Sequence, residues 1–218
     1  NLSWTPDTPQ PFIGTDFEVA YDQFVLPANS QYRPTLAKLS EKPEIQIDPK
    51  TGALTSYIYE GQEYLASPVR LSLYRPATDN DNREKKGGAK VWRKLGLNHL
   101  VQRVLSVKTS GHTTYSEVKL LNDKNDTIGS ATFEYTIRKD GILSVQTRFV
   151  PDTTFVGSLA RVGLVFEMPH SFNRVTYLGR GEHETYADRK LSGRIGIYHT
   201  DAERMFHYYV RPQATGNR

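Results

Sequence analysis

The octet Arg75-Pro76-Ala77-Thr78-Asp79-Asn80-Asp81-Asn82 places one guanidinium, two carboxylates and two carboxamides within eight residues. Groups of this kind hydrogen-bond sugars and partner loops. An alternating strand from Val69 to Tyr74 leads into the octet, and Pro76 stops it, so the polar groups are expected on a stiff loop at a strand end. Function gathers at such places because a rigid scaffold positions side chains whose polar atoms stay free. The same residues also suit a tight turn in which Asp and Asn bond their own backbone. A second polar stretch, Gly179-Arg180-Gly181-Glu182-His183-Glu184-Thr185-Tyr186-Ala187-Asp188-Arg189, follows a short strand from Val175 to Leu178. It is not a dinucleotide fingerprint, because Glu184 stands where the third glycine belongs. It is not a zinc-protease helix either, because Ala187 occupies the place of the second histidine. Glu184 or Asp188 acting as an acid or base remains, beside a more ordinary reading in which ion pairs among Glu184, Asp188, Arg180 and Arg189 pin the loop. The ordinary reading is preferred.

Glycoside hydrolysis needs two carboxylates across one bond, roughly 5–5.5 Å apart for retention or 6.5–9.5 Å for inversion. Asp79, Asp81, Glu184 and Asp188 are the candidates, but they come from two loops far apart in sequence, and no strand–helix repeat places them at barrel strand ends. No catalytic residue is therefore assigned to this chain. The six histidines lack ligand-like spacing, no Gly-x-Ser-x-Gly elbow exists, and no metal site is expected. Asn125-Asp126-Thr127 matches a glycosylation acceptor only at the level of chance.

The elements that must carry these groups read as strands. Thirteen Tyr and nine Phe against two Met favour sheets. Glu18 to Leu26 alternates, and Pro27 to Ser30 with Arg33-Pro34 then reads as a linker. Ile45 and Ile47 share a face before the turn Asp48 to Gly52, and Leu54 to Tyr59 returns. Val101–Val107, Thr113–Leu121, Ala131–Arg138 and Ile142–Val150 follow. Lys139-Asp140-Gly141 joins the last two, since Asp-Gly tolerates the positive φ of a hairpin turn. Val162, Leu164 and Phe166 make another apolar face. The single helix-like stretch is Gly88 to Leu97, with Val91, Trp92 and Leu95 on one side; Trp92 is expected to be a packing anchor.

The chain of 218 residues, 37% hydrophobic, is long enough for a real core. A net charge of +4 argues weakly for nucleic acid, and the cluster Arg83, Lys85, Lys86, Lys90, Arg93 and Lys94 reads as a solvated loop and short helix. The absence of cysteine excludes disulfides, thiolate nucleophiles and Cys-ligated zinc. No apolar run is long enough to span a bilayer. The start, Asn1-Leu2-Ser3-Trp4, lacks a signal-peptide layout and reads as cut from something longer. The compartment stays open.

In order, these pieces resemble the C-terminal region of glycoside hydrolase family 2 β-galactosidases. Arg75 to Asp81 is similar to that family's Arg-x-Pro-x-Asp-Asn-Asp loop, with the Trp-containing Trp92 to Leu97 after it. Pro49 to Tyr57 resembles its opening hairpin, and Ala160 to Leu164 its Pro-Arg-x-Gly strand. Tyr177 to Arg189 is similar to its Gly-Pro-x-Glu-x-Tyr-x-Asp-Arg loop, with Glu182 in place of Pro. Tyr209 to Gln213 resembles its Tyr-Val-x-Pro stretch, with Ala214 in place of Glu. The resemblance implies an all-β fold: a large antiparallel β-sandwich (supersandwich) of the galactose-mutarotase type over residues 34–218. Residues 1–33 would be a remnant strand and linker of an immunoglobulin-like domain. It further implies that the catalytic glutamates lie on a TIM barrel outside this chain, so that the chain alone is inactive. Magnesium and sodium, common in the family, would be bound outside this region, leaving no cofactor here. The expected ligand is a β-galactoside, met at the cleft rim by Arg75, Asp79, Asn80 and Asp81, and the expected partner is the barrel-bearing remainder. Two alternatives stand beside this reading. One is a free-standing carbohydrate-binding module displaying Tyr57, Tyr59, Tyr64 and Tyr74; the other is the small subunit of a two-chain enzyme. The sandwich is expected to be truncated at its C-terminus, and self-association through the sheet edges so uncovered is also expected.

Overall fold

The computed structural model describes residues 1–24, 26, 39–84, 88–154, 157–211 and 213–216. In chain order its strands are β1 (Leu2–Trp4), β2 (Ala20–Asp22), β3 (Glu44–Ile47), β4 (Leu54–Tyr59), β5 (Gln62–Glu63) and β6 (Ser67–Ser72). Helices α1 (Asp79–Arg83) and α2 (Gly88–Lys94) follow. Then come β7 (Val101–Ser110), β8 (Thr113–Leu121), β9 (Thr127–Ile137), β10 (Leu143–Pro151), β11 (Gly163–Glu167), β12 (Arg174–Gly181) and β13 (Arg194–Asp201). The fold is all-β, with every sheet antiparallel. Among the described residues no helix is long and apolar enough to cross a membrane. The linker expected over 27–34, and Lys85 and Lys86 of the basic cluster, lie outside the described residues.

Two compact units are present: Asn1–Leu36 with Arg174–Phe206 and Thr215–Arg218, and Ala37–Asn173 with His207–Ala214. The second unit holds the core. Its largest sheet runs β10-β9-β8-β7, and β8 and β9 bury alternate residues that are apolar except for Ser116. Val118, Leu120, Phe133 and Tyr135 are completely buried, and they cluster with Leu54 of β4, Val69 and Leu71 of β6, and Trp92 of α2. The rings of Phe133 and Tyr135 stack at 5.9 Å, and burial pushes the Tyr135 phenol up to about 12. Gly52 closes the β3–β4 turn at φ 68, where a Cβ would collide with the Ser116 hydroxyl. Only glycine meets both demands without strain. Gly141 likewise sits at φ 85 in the β9–β10 hairpin. Two-stranded sheet β6–β11 and three-stranded sheet β3-β4-β5 complete this unit.

In the first unit β1 pairs with β2 and β12 with β13. Side chains of the β2 segment fasten it to β13 and the turn before it. Gln23 uses both ends of its amide on Ile195: Nε2 donates to the carbonyl at 2.7 Å, and the Ile195 N–H donates to Oε1 at 2.7 Å. Tyr21 Oη donates to the Leu191 carbonyl, Arg194 pairs with Glu18, and the Arg194 guanidinium lies 3.9 Å over the Tyr21 ring.

Candidate functional site

Within the octet, Arg75 to Thr78 form a loop and Asp79 to Asn82 enter a helical turn. Strand β6 ends at Ser72, and Asp79 to Arg83 fold into one helical turn, which corrects the expectation that Gly88–Leu97 is the single helical stretch. Thr78 is the N-cap, and its hydroxyl accepts the Asp81 N–H at 3.3 Å. The Asp81 carboxylate reaches back to accept the Thr78 N–H at 2.7 Å and the Thr78 hydroxyl at 2.8 Å. This reciprocal arrangement satisfies backbone donors that a helix start otherwise leaves bare. Asn82 adds a bond from its Nδ2 to the Thr78 carbonyl at 3.0 Å.

Arg75 completes the structure. Its Nη1 and Nη2 meet the two oxygens of Asp81 at 2.6 and 3.1 Å, a two-pronged pair with side chains only 21% and 16% exposed. The guanidinium also lies 5.2 Å from the centre of the Trp92 ring. Trp92 is a packing anchor as expected, 3% exposed, with Nε1 donating to the Ser158 carbonyl at 3.0 Å. Burial alone would raise the Asp81 pKa. The bonds from Arg75 and Thr78 outweigh it, and the carboxyl is held below its ordinary value. The four candidate site residues thus divide. Arg75 and Asp81 hold each other, whereas Asp79 and Asn80 are exposed on the outer side of the turn. Asp79 faces Arg211 at 3.4 Å.

Beside this turn the second unit has a cavity of about 470 Å³, and Tyr74, the neighbour of Arg75, lines it. Its polar wall includes Arg70, Asn98 and Gln102, which the sequence alone did not single out. Gln102 accepts the Leu71 N–H at 2.9 Å and so stitches β7 to β6. Asp48, also on the wall, is occupied by its own turn: it accepts the Lys50 N–H at 2.9 Å and the Thr51 hydroxyl at 2.7 Å, which hold its carboxyl below the usual range. Mixed polar and apolar walls of this size suit a small polar ligand.

The Gly179–Arg189 stretch lies in the first unit. Glu184 is 5% exposed, stands 3.9 Å from Arg189, and accepts the Gly216 N–H at 3.3 Å. Of the four expected ionic partners, these two meet. Arg180 instead donates to the Gly193 and Lys190 carbonyls at 2.9 and 3.3 Å, and Asp188 is exposed. The aromatic platform required of a binding module is not displayed. Tyr57, Tyr59, Tyr64 and Tyr74 are all half-buried, and Tyr64 packs between Tyr57 and Phe172 at 5.7 and 4.8 Å. Among the described residues no three His, Asp or Glu side chains converge as a metal set.

Residues 40–218 match the family model described as beta galactosidase small chain. The chain belongs to that family. It is 30% identical over 218 residues to the β-galactosidase of Priestia megaterium, covering 93% of this chain and 21% of that protein. It is 28% identical to the β-galactosidase of Actinobacillus pleuropneumoniae over 176 residues, 79% of the chain and 17% of the relative. The β-galactosidase of Vibrio cholerae is also 28% identical, over 185 residues. The small-chain match spans the Arg75–Asp81 turn, the cavity and the Glu184 loop together, while the chain covers only about a fifth of the length of these relatives.

Proposed function

We propose that this chain is a non-catalytic β-sandwich region of a β-galactosidase that hydrolyses terminal β-D-galactosides with retention. A TIM barrel elsewhere in the enzyme supplies the two catalytic glutamates, and this region completes the cleft from the side. Asp79 and Asn80 offer hydrogen bonds to the sugar at the rim, and Arg75 with Asp81 fixes the turn that presents them. Any magnesium or sodium used by the enzyme is held outside this region. The observation that carries the reading is the family match combined with what the acidic groups do. Asp81 and Glu184, the least exposed of the four candidate carboxylates, are engaged in holding backbone, whereas a general acid or nucleophile must face the reacting bond.

The family's description as a small chain favours a second form of the same idea, in which the barrel belongs to a separate polypeptide. One assay serves both. The purified chain is expected to leave a chromogenic β-galactoside intact, and turnover is expected when it is mixed with a barrel-bearing β-galactosidase chain lacking its own equivalent region. Hydrolysis by the 218-residue chain alone, abolished by Glu184→Gln or Asp188→Asn, overturns the proposal.

A further inference from the structure

Ser192 and His183 form a pair that has no part in the Arg75–Asp81 turn or in the cavity beside it. Both belong to the first unit. Ser192 ends a single 3-10 turn, Lys190–Ser192, and its Oγ lies 2.9 Å from His183 Nε2. On the other side of the ring, Nδ1 lies 2.8 Å from the Glu184 carbonyl oxygen. A carbonyl can only accept, so Nδ1 carries the hydrogen and the neutral ring turns its Nε2 lone pair toward the serine hydroxyl. A base within hydrogen-bond reach of a hydroxyl, oriented by a third group, is the arrangement that makes serine a nucleophile. Such a constellation is identified by geometry and not by a sequence elbow. All of these contacts lie between residues 183 and 192, so the segment sets them by itself.

Ser192 has a second acceptor, the Arg189 carbonyl at 2.7 Å. One hydroxyl hydrogen serves one of the two at a time. Toward Arg189 the serine is idle, and toward Nε2 it is primed. Ser192 also lines a cavity of about 500 Å³ within the same unit. Val19, Leu191 and Ile195 give this cavity an apolar side, and Arg180 gives it a cationic one. Nη1 of Arg180 donates to the Lys190 and Gly193 carbonyls, which fixes the guanidinium against the serine turn. A fixed positive group there offsets the negative charge that builds on an ester oxygen during attack.

We propose that Ser192 is a nucleophile toward carboxylic esters with a short acyl chain, and that His183 is its base. Ser192 Oγ bonds to the acyl carbon while its proton passes to His183 Nε2. The bond from that carbon to the alkoxy oxygen then breaks, and the leaving alcohol takes the proton from Nε2. Water completes the cycle: it gives a proton to Nε2 as its oxygen bonds to the acyl carbon. Ser192 Oγ then leaves, recovers the proton, and releases the carboxylic acid. This activity is separate from glycoside hydrolysis and does not depend on it.

The full 218-residue chain is treated with a fluorophosphonate probe, and the labelled peptide is identified by mass spectrometry. Hydrolysis of p-nitrophenyl acetate is followed in parallel. Label on Ser192 and continuous release of nitrophenol are expected. Ser192→Ala should abolish both. His183→Gln should slow labelling about a hundredfold or more, the usual share of a general base. Acid should suppress labelling of the unaltered chain, because a protonated ring has no lone pair at Nε2; a merely structural histidine would not produce this. Mixing with a barrel-bearing β-galactosidase chain should leave labelling unchanged. If His183→Gln fails to fold by circular dichroism, the position of the label and its suppression by acid decide. No label, or label on another residue, overturns the proposal. So does nitrophenol release that survives Ser192→Ala, labelling indifferent to acid, or labelling lost on mixing.

Discussion

Asp81 and Glu184 are two shielded carboxylates in two polar stretches, and they fasten backbone over very different distances. Asp81 works within its own turn: its partners Thr78 and Arg75 lie three and six residues away. Glu184 reaches Gly216, thirty-two residues on, and so ties together two segments distant in sequence. The first makes a stiff turn, because Asp79 and Asn80 follow wherever the capped turn goes. The second makes a closure that depends on the Gly216 segment being in place. Stretches of nearly the same composition can thus serve a local stiffener and a long-range tether.

Asp81→Ala should show the largest effect. It removes the cap and leaves the Arg75 charge half-buried without its two-pronged partner, a loss of about 2–3 kcal/mol in urea unfolding of the second unit. A loss under about 0.5 kcal/mol would mean the turn is held by something else. Glu184→Gln keeps the shape but weakens the tether, and about 1–2 kcal/mol is expected from the first unit. Its specific mark is faster hydrogen exchange at the Gly216 amide, which Asp81→Ala should leave unchanged. Acid tests the Asp81 contribution separately. Asp81 is held below its ordinary pKa in the folded chain, so its contribution is complete above about pH 4 and fades as pH falls through the lower folded value. The stability gap between the unaltered chain and Asp81→Asn should therefore close in strong acid. The smallest change in stability is expected from Asn80→Ala, within about 0.5 kcal/mol. That substitution should nevertheless lower galactoside turnover in the reconstituted enzyme if Asn80 meets the sugar. Unchanged turnover would leave the capped turn a purely structural device.

Much of the strand pattern was legible because its signals are local. Thr113–Leu121 is found with the expected bounds, and Lys139 to Gly141 turn the next hairpin. Gly88–Leu97 is helical over Gly88–Lys94, since Gly96 at φ 66 ends the helix early. Helix α1, not expected from the sequence, has a local mark in Thr78 followed three residues later by Asp81, a cap signature. Other features had no local mark at all. Arg75 over Trp92, Arg211 against Asp79, and Tyr21 on Leu191 join segments that only folding brings together. Asp81 is set apart from Asp79 by its own turn, through Thr78 and Arg75, whereas the pairing of Asp79 with Arg211 is set by the fold.

The guanidinium poised over Trp92 also turns that indole into a built-in optical gauge. Emission from an indole responds to a charge above its plane, and whatever draws Arg75 off Asp81, a sugar hydroxyl or a proton, must change that charge's position. Trp4, the other indole in the chain, belongs to the other unit and is 49% exposed. Replaced by phenylalanine, it would leave a single dye-free colour whose shift reports when the turn lets go.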